Sequence, residues 1–380
     1  MAKSGVQLDV SCQQLDYLPF RKAHDHPHVF PSVLGTSGPF LFLSNSPEAI
    51  LAAADLPLNL YRCAIPLGMS AQPIRCYIWH KNKRAGETIN IGLIASLAIG
   101  SGPAVLSNFR VEKNVTSDLV TMGICTAKAQ LYGSYDAVFG TIPVVTDVVI
   151  TSAAAAVPPE QTFGCVIEFN AAATTLIPTT LQLRTAAYTG PLGAVPNQWT
   201  SQIATIERAH PRGHWQAANA MFSGGTFNAS PYVPPQFVQL RCCDKGKAEE
   251  ATFGDDPLNS EDSVNRGLYG VNLTYRFNVT NAGNPNPSSV WAFLKAVNTD
   301  ETYFGASKVS APGSNPDRGV PEIAHLPATA PNNFVNLTAV APVVVPAYGS
   351  VNLDVIVANA GASTMPYEIV LSKINLEIEE

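Results

Sequence analysis

Val271-Asn272-Leu273-Thr274-Tyr275-Arg276-Phe277-Asn278-Val279-Thr280 carries an apolar residue at every odd position and a polar one at every even position. Successive side chains of a strand point to opposite faces, so the run predicts a strand with one dry and one wet face. The same period recurs in Thr88-Ile89-Asn90-Ile91-Gly92-Leu93, Leu181-Gln182-Leu183-Arg184 and Val351-Asn352-Leu353-Asp354-Val355. It closes the chain in Ile374-Asn375-Leu376-Glu377-Ile378-Glu379. Turn-forming stretches lie between these runs, at Asn281 to Pro287, Ala311 to Pro316 and Ala347-Tyr348-Gly349. Short strands at such spacing indicate sandwiches rather than βαβ units. The expected fold class is all-β: two antiparallel β-sandwich domains, jelly-roll or Ig-like, with an N-terminal arm and one short helix.

Working outward, the expected organisation is an arm over 1–37, a first sandwich over 38–205, a connecting region over 206–262 and a second sandwich over 263–380. The arm holds Pro19, Pro27 and Pro31 and no sustained period. The short helix is expected at 46–54, with Ser46 as N-cap, Pro47 at the first helical position and Glu48 facing the positive end of the dipole. Charges gather in 240–266, among them Asp244, Lys245, Lys247, Glu249 and Glu250, which reads as an exposed polar loop.

Lys and Arg number 23 and Asp and Glu 29, so 14% of the 380 residues are charged, against roughly 25% in an average soluble domain. The net charge of −6 argues against a nucleic-acid partner. A hydrophobic share of 46% argues against disorder. What remains is a β-rich protein whose neutral surface costs little to bury against another copy. The most apolar stretches, 89–106 and 144–157, are broken by Asn90, Gly100, Gly102, Pro103 and Asp147, so no transmembrane segment is expected. No apolar run follows Lys3, so a signal peptide is not expected and the export route is open.

The seven cysteines contain no C-x-x-C pair, which argues against a zinc ribbon or a thioredoxin-type site. Buried cysteines acting as small hydrophobes are the simplest reading. For an intrachain disulfide the expected partners are Cys63 and Cys76, in strand-like segments on either side of a turn. Cys12, on the arm, and the Cys242-Cys243 pair are the candidates for interchain bonding.

His24-Asp25-His26-Pro27-His28 places three imidazoles on alternate residues. In an extended segment they point the same way, which makes His24, His26 and His28 the candidate metal ligands. His210 and His214 form a second pair, but Pro211 opposes the helix a zincin needs and no Glu follows His210. No G-x-S-x-G elbow, P-loop or dinucleotide fingerprint occurs. Asp255-Asp256 and Glu261-Asp262 have the chemistry of glycosidase carboxylates or of a Ca²⁺ site, yet adjacent carboxylates in a polar loop are usually solvated. Sequons at Asn114, Asn228, Asn272, Asn278 and Asn336 are expected by chance in so Asn- and Thr-rich a chain. Trp79, Trp199, Trp215 and Trp291 suit either a core or a sugar-stacking platform. No cofactor is expected.

Several stretches resemble a bacterial surface-protein family of unknown function, secreted by cyanobacteria and spore-forming Firmicutes. They are Phe42-Leu43-Ser44-Asn45-Ser46-Pro47-Glu48, Tyr77-Ile78-Trp79-His80-Lys81-Asn82 with the strand to Leu93, Arg212-Gly213-His214-Trp215-Gln216-Ala217, Gly267-Leu268-Tyr269-Gly270-Val271-Asn272-Leu273, and 363–371. The resemblance implies two β-sandwich regions outside a cell and no catalytic residue to carry over. The absent signal peptide and the seven cysteines depart from it.

These readings converge on a noncatalytic structural protein that self-assembles into an extracellular filament, appendage or surface layer, located outside the cell or on its surface. Its expected partner is itself. The alternatives are a cell-surface module for wall or matrix polysaccharide, and a viral capsid or virion protein.

Overall fold

In the alternating run that opens the sequence reading, burial alternates as the pattern predicts: Leu273, Tyr275, Phe277 and Val279 are buried while Arg276 and Asn278 face outward. The computed structural model describes residues 30–51, 54–133, 136–138, 140–195, 203–205, 210–243, 252–256, 261–265, 267–296, 303–311, 322–326, 334–338, 341–361 and 366–374. The first half runs through β1 (Ser32–Ser37), β2 (Phe40–Ser44), β3 (Ala49–Leu51), β4 (Leu58–Leu67), β5 (Gln72–Lys83), β6 (Ile89–Leu97) and β7 (Ala104–Thr116). It continues with α1 (Leu119–Tyr132), β8 (Asp136–Val138), β9 (Ile142–Val144), β10 (Val148–Val157), β11 (Thr162–Ala173) and β12 (Thr179–Tyr188). The middle holds β13 (Arg212–Trp215), β14 (Asn219–Asn228), β15 (Phe237–Cys242), β16 (Thr252–Asp256) and β17 (Glu261–Asn265). The rest is β18 (Asn272–Thr280), β19 (Ser288–Ala296), β20 (Tyr303–Ser310), β21 (Glu322–Leu326), β22 (Phe334–Asn336), β23 (Val343–Val345), β24 (Ser350–Asn359) and β25 (Tyr367–Ser372).

The chain is an all-β protein of two sandwiches. In the first, one sheet has the order β10-β6-β12-β4 and the facing sheet runs β5-β11-β7-β8, extended beyond β5 by β2, β13, β16 and β17. Strands β4 to β7 alternate between the sheets, β8 and β9 stay beside β7, β10 to β12 alternate again, and β11 and β12 return beside β5 and β4, which is the double Greek key of a jelly roll. The second sandwich faces β1-β14-β18-β24-β20-β21 against β15-β25-β19-β22. Most pairs are antiparallel; β14 with β18, and β2 and β3 with β5, are parallel.

The two sandwiches share a core. Tyr77 and Trp79 on the outer face of β5 belong to the same buried cluster as Leu273, Tyr275, Val355 and Ile369 of the second sandwich. Their neighbours Ile74, Cys76 and Ile78 point the other way, into the first sandwich, as the period of a strand requires. α1 fills the remaining gap. Ile124, Ala127 and Leu131 meet Ala306 and Ala358, and Met122 lies against Gly164, where an added Cβ would come within 2.5 Å of its sulfur. Asp118 caps the helix by accepting from Thr121 N at 3.1 Å. Gly133, in the left-handed region at φ 66°, ends it with its N–H on Ala129 O.

Several expectations are corrected. The segment 46–54 is not a helix: Ala49–Leu51 forms β3 beside Lys81–Lys83, and Lys81 N donates to Glu48 O at 2.6 Å. Tertiary pairing there takes the backbone groups that a helix would use. The one described helix lies at 119–132 instead. The region 206–262 is more than a connection, since β14 and β15 are sandwich strands and β13 extends the first sandwich. Of the arm, 32–37 forms a strand on β14, and residues 1–29 lie outside the described residues.

Cys63 and Cys76 do not bond to each other; both are free thiols. The turn between β4 and β5 crosses from one sheet to the other rather than closing a hairpin. Cys242 and Cys243 carry no disulfide, and they are buried in the shared core rather than presented to a neighbour. Cys12 lies outside the described residues.

Candidate functional site

The described histidines of the first sandwich gather where β2, β5 and β13 meet. Ser44 Oγ lies 2.8 Å from His80 Nε2, and His80 Nδ1 lies 2.7 Å from the Pro47 carbonyl. A carbonyl only accepts, so Nδ1 carries the proton and Nε2 accepts from the Ser44 hydroxyl. This is the hydrogen-bond order of a nucleophile and its base. Both side chains, however, are wholly buried, and burial pushes the His80 pKa down to about 4. A substrate has no path to Ser44, so the pair joins β2 to β5 as a structural contact.

The second histidine pair is split between two partners. His210 Nε2 lies 2.8 Å from Glu48 Oε2, and this hydrogen bond holds the Glu48 carboxyl below its usual range. His214 Nδ1 lies 3.0 Å from the Tyr61 hydroxyl, with its ring stacked on Phe40. Between them the buried Arg212 donates to the carbonyls of Leu60 at 2.8 Å and Ala204 at 2.5 Å. Sequence reading missed Arg212, Ser44 and His80, because nothing local marks a polar residue that strand pairing will bury. Among the described residues no three His, Cys, Asp or Glu are placed to hold a metal ion; His24, His26 and His28 lie outside them.

The acidic pairs fall on a hairpin at the sheet edge, with Asp255 opposite Asp262 and Asp256 opposite Glu261. A cavity of about 810 Å³ opens beside the end of α1, lined by Arg75, Arg110, Gln130, Tyr132 and Glu168 among others. There Glu168 accepts from Arg75 Nε and from Arg110, each at 2.7 Å. Arg75 also donates to Gly270 O at 2.9 Å. These contacts tie the first sandwich to the segment that leads into β18.

Two loop ends stand out by exposure. At one end of the first sandwich, the connections β4–β5, β6–β7, β9–β10 and β11–β12 come together. Ala173 N donates to Gly68 O at 2.9 Å, Thr174 N to Pro103 O at 3.0 Å and Gly102 N to Pro178 O at 3.3 Å. Ile99 is fully exposed and Leu176 is 90% exposed, beside exposed Met69, Val145 and Ile177. Asp147 is the one charged residue in 68–71, 98–103, 145–147 and 174–178, and it pairs with Arg184. The result is a hydrogen-bonded tip with a largely apolar surface whose single acidic residue is paired.

At one end of the second sandwich, Tyr232 and Tyr348 are exposed. Tyr348 is in the left-handed region at φ 53°. Buried Asn281 holds its turn, donating to Pro346 O at 3.1 Å and Asn286 O at 2.8 Å. The tryptophans look inward: Trp79 and Trp215 are buried, Trp291 is partly buried against Phe293 and Val370, and Trp199 lies outside the described residues.

No protein-family model matches the chain, and no curated protein does. Among solved structures, the chain is similar to the N-terminal CBM22-1-CBM22-2 tandem domain from Paenibacillus barcinonensis Xyn10C. The identity is 13% over 90% of this chain and 100% of that one, with a TM-score of 0.16, too low for the likeness to bear on fold or function.

Proposed function

We propose that the chain is a noncatalytic structural subunit that assembles with copies of itself outside the cell, as a filament, appendage, surface layer or viral shell. The observation that carries this reading is the apolar tip of the first sandwich, where three hydrogen-bonded loops, with the β9–β10 connection beside them, present Met69, Ile99, Val145, Leu176 and Ile177 to solvent. Scattered exposed apolar residues are ordinary, but a group of them gathered on neighbouring loops with a single acidic residue, itself paired, marks an interaction surface. Jelly rolls serve shells, lectins and metal enzymes alike, so the tip rather than the fold supports the choice. The sealed Ser44–His80 pair adds support, because it supplies no accessible nucleophile.

Electron microscopy of the wild type and of Ile99→Asp with Leu176→Asp tests the reading. Regular assemblies are expected from the first, and dispersed subunits with native circular dichroism from the second. Equal assembly by both would remove the tip from the account.

A polysaccharide-binding reading draws on Tyr232 and Tyr348, whose exposed rings suit stacking on sugar faces. It predicts pulldown on wall polysaccharide that Tyr232→Ala with Tyr348→Ala abolishes.

A further inference from the structure

We propose that β1 is an exchangeable strand. In the assembled protein, Ser32–Ser37 of one copy lies on β14 of the next, in the register it holds here within one chain. This rests on the self-assembly reading above.

Three observations lead to it. First, β14 is the one ladder partner of β1 among the described residues, with Ser32 opposite Ser223, Thr36 opposite Ala220 and Ser37 opposite Asn219. All six β1 residues are exposed, Val33 and Leu34 included. Docking therefore rests on backbone hydrogen bonds, and an identical strand from a second copy supplies the same ones. Second, β1 ends its sheet, so it can leave without disturbing the β14–β18 ladder. An edge exposed in that way is a template for another chain.

Third, the connection to the rest of the fold is two residues long. After Gly38-Pro39 comes β2, buried throughout and paired with β5 and β13 in the other sandwich. Gly38 turns at φ 90°, and a Cβ there would come within 2.3 Å of Asn219 Nδ2. The within-chain route depends on a turn that glycine alone makes without strain, which an exchanged strand does not need. Closed and exchanged forms differ little beyond this hinge, which is the condition for exchange between copies.

The test uses directly opposed positions, which lie within reach of a disulfide. Chains carrying Ser32→Cys alone and Ser223→Cys alone are mixed, assembled and oxidised, then run on non-reducing gels beside unsubstituted protein. Exchange predicts covalent dimers joining one chain of each kind in the assembled fraction and not in the dispersed one. The doubly substituted chain should give linked oligomers in assemblies and internally linked monomers when dispersed. Internally linked monomers alone, from assembled material, would overturn the proposal. Gly38→Ala, which strains the within-chain turn, should lower the protein concentration at which assembly begins several-fold; an unchanged or higher concentration contradicts it. A protein that light scattering shows to be monomeric throughout defeats the assembly reading itself, before any cross-link is read.

Discussion

His80 sits between a hydroxyl and a carbonyl, sealed from solvent, and its pKa near 4 is set first by burial. The unfolded chain takes up the same proton near 6.5. Between those values the unfolded state holds more protons, so the stabilisation is complete above about pH 6.5 and is lost as the pH falls toward 4. The full window corresponds to about 3 kcal/mol. Urea denaturation should therefore show a steeper loss of stability from pH 6.5 to 4 in the wild type than in His80→Gln. The His80 ring signals should stay unmoved by pH down to about 5; a normal titration near 6.5 would mean that the ring reaches water. Gly361 makes a different residue-scale point, because a Cβ there would come within 2.6 Å of the Trp79 ring. Gly361→Ala should cost about 1–3 kcal/mol through overpacking, read as a lower denaturation midpoint.

Among the elements, α1 is the joint between the sandwiches, buried without a break from Met122 to Leu131. Removing its cap by Asp118→Ala should cost about 0.5–2 kcal/mol, measured by thermal unfolding; no change would mean that packing alone sets the helix start. This helix was not legible in the sequence, because a helix covered on all sides shows no apolar stripe to read. Strands with one wet face, such as β18 and β24, were legible for the converse reason. β14 escaped notice because its register shifts at Ser223/Gly225, which moves Phe222 and Phe227 out of a common phase. The helix signals at 46–54 were real local preferences, overridden by pairing with β5. At the candidate sites, the local His210-Pro211-Arg212-Gly213-His214 cluster was visible, but its partners Glu48 and Tyr61 lie more than a hundred residues away. The apolar tip was equally hidden, since Met69, Ile99, Val145 and Leu176 meet only through the strand order of the jelly roll.

For the whole molecule, the shared core of Tyr77 and Trp79 with the second sandwich, and α1 between them, predict that the sandwiches unfold together. Calorimetry should give one transition; two well-separated ones would mean that the sandwiches are independent. The low charge content, 14%, gains a location at this scale, because the charge-poor surface includes a defined tip of four loops whose single acidic residue is paired. The most direct measurement is light scattering of the purified protein over a wide concentration range under reducing conditions. The account predicts a mass that climbs in steps above the 40.4 kDa of one chain, and a value fixed at 40.4 kDa at every concentration would contradict it.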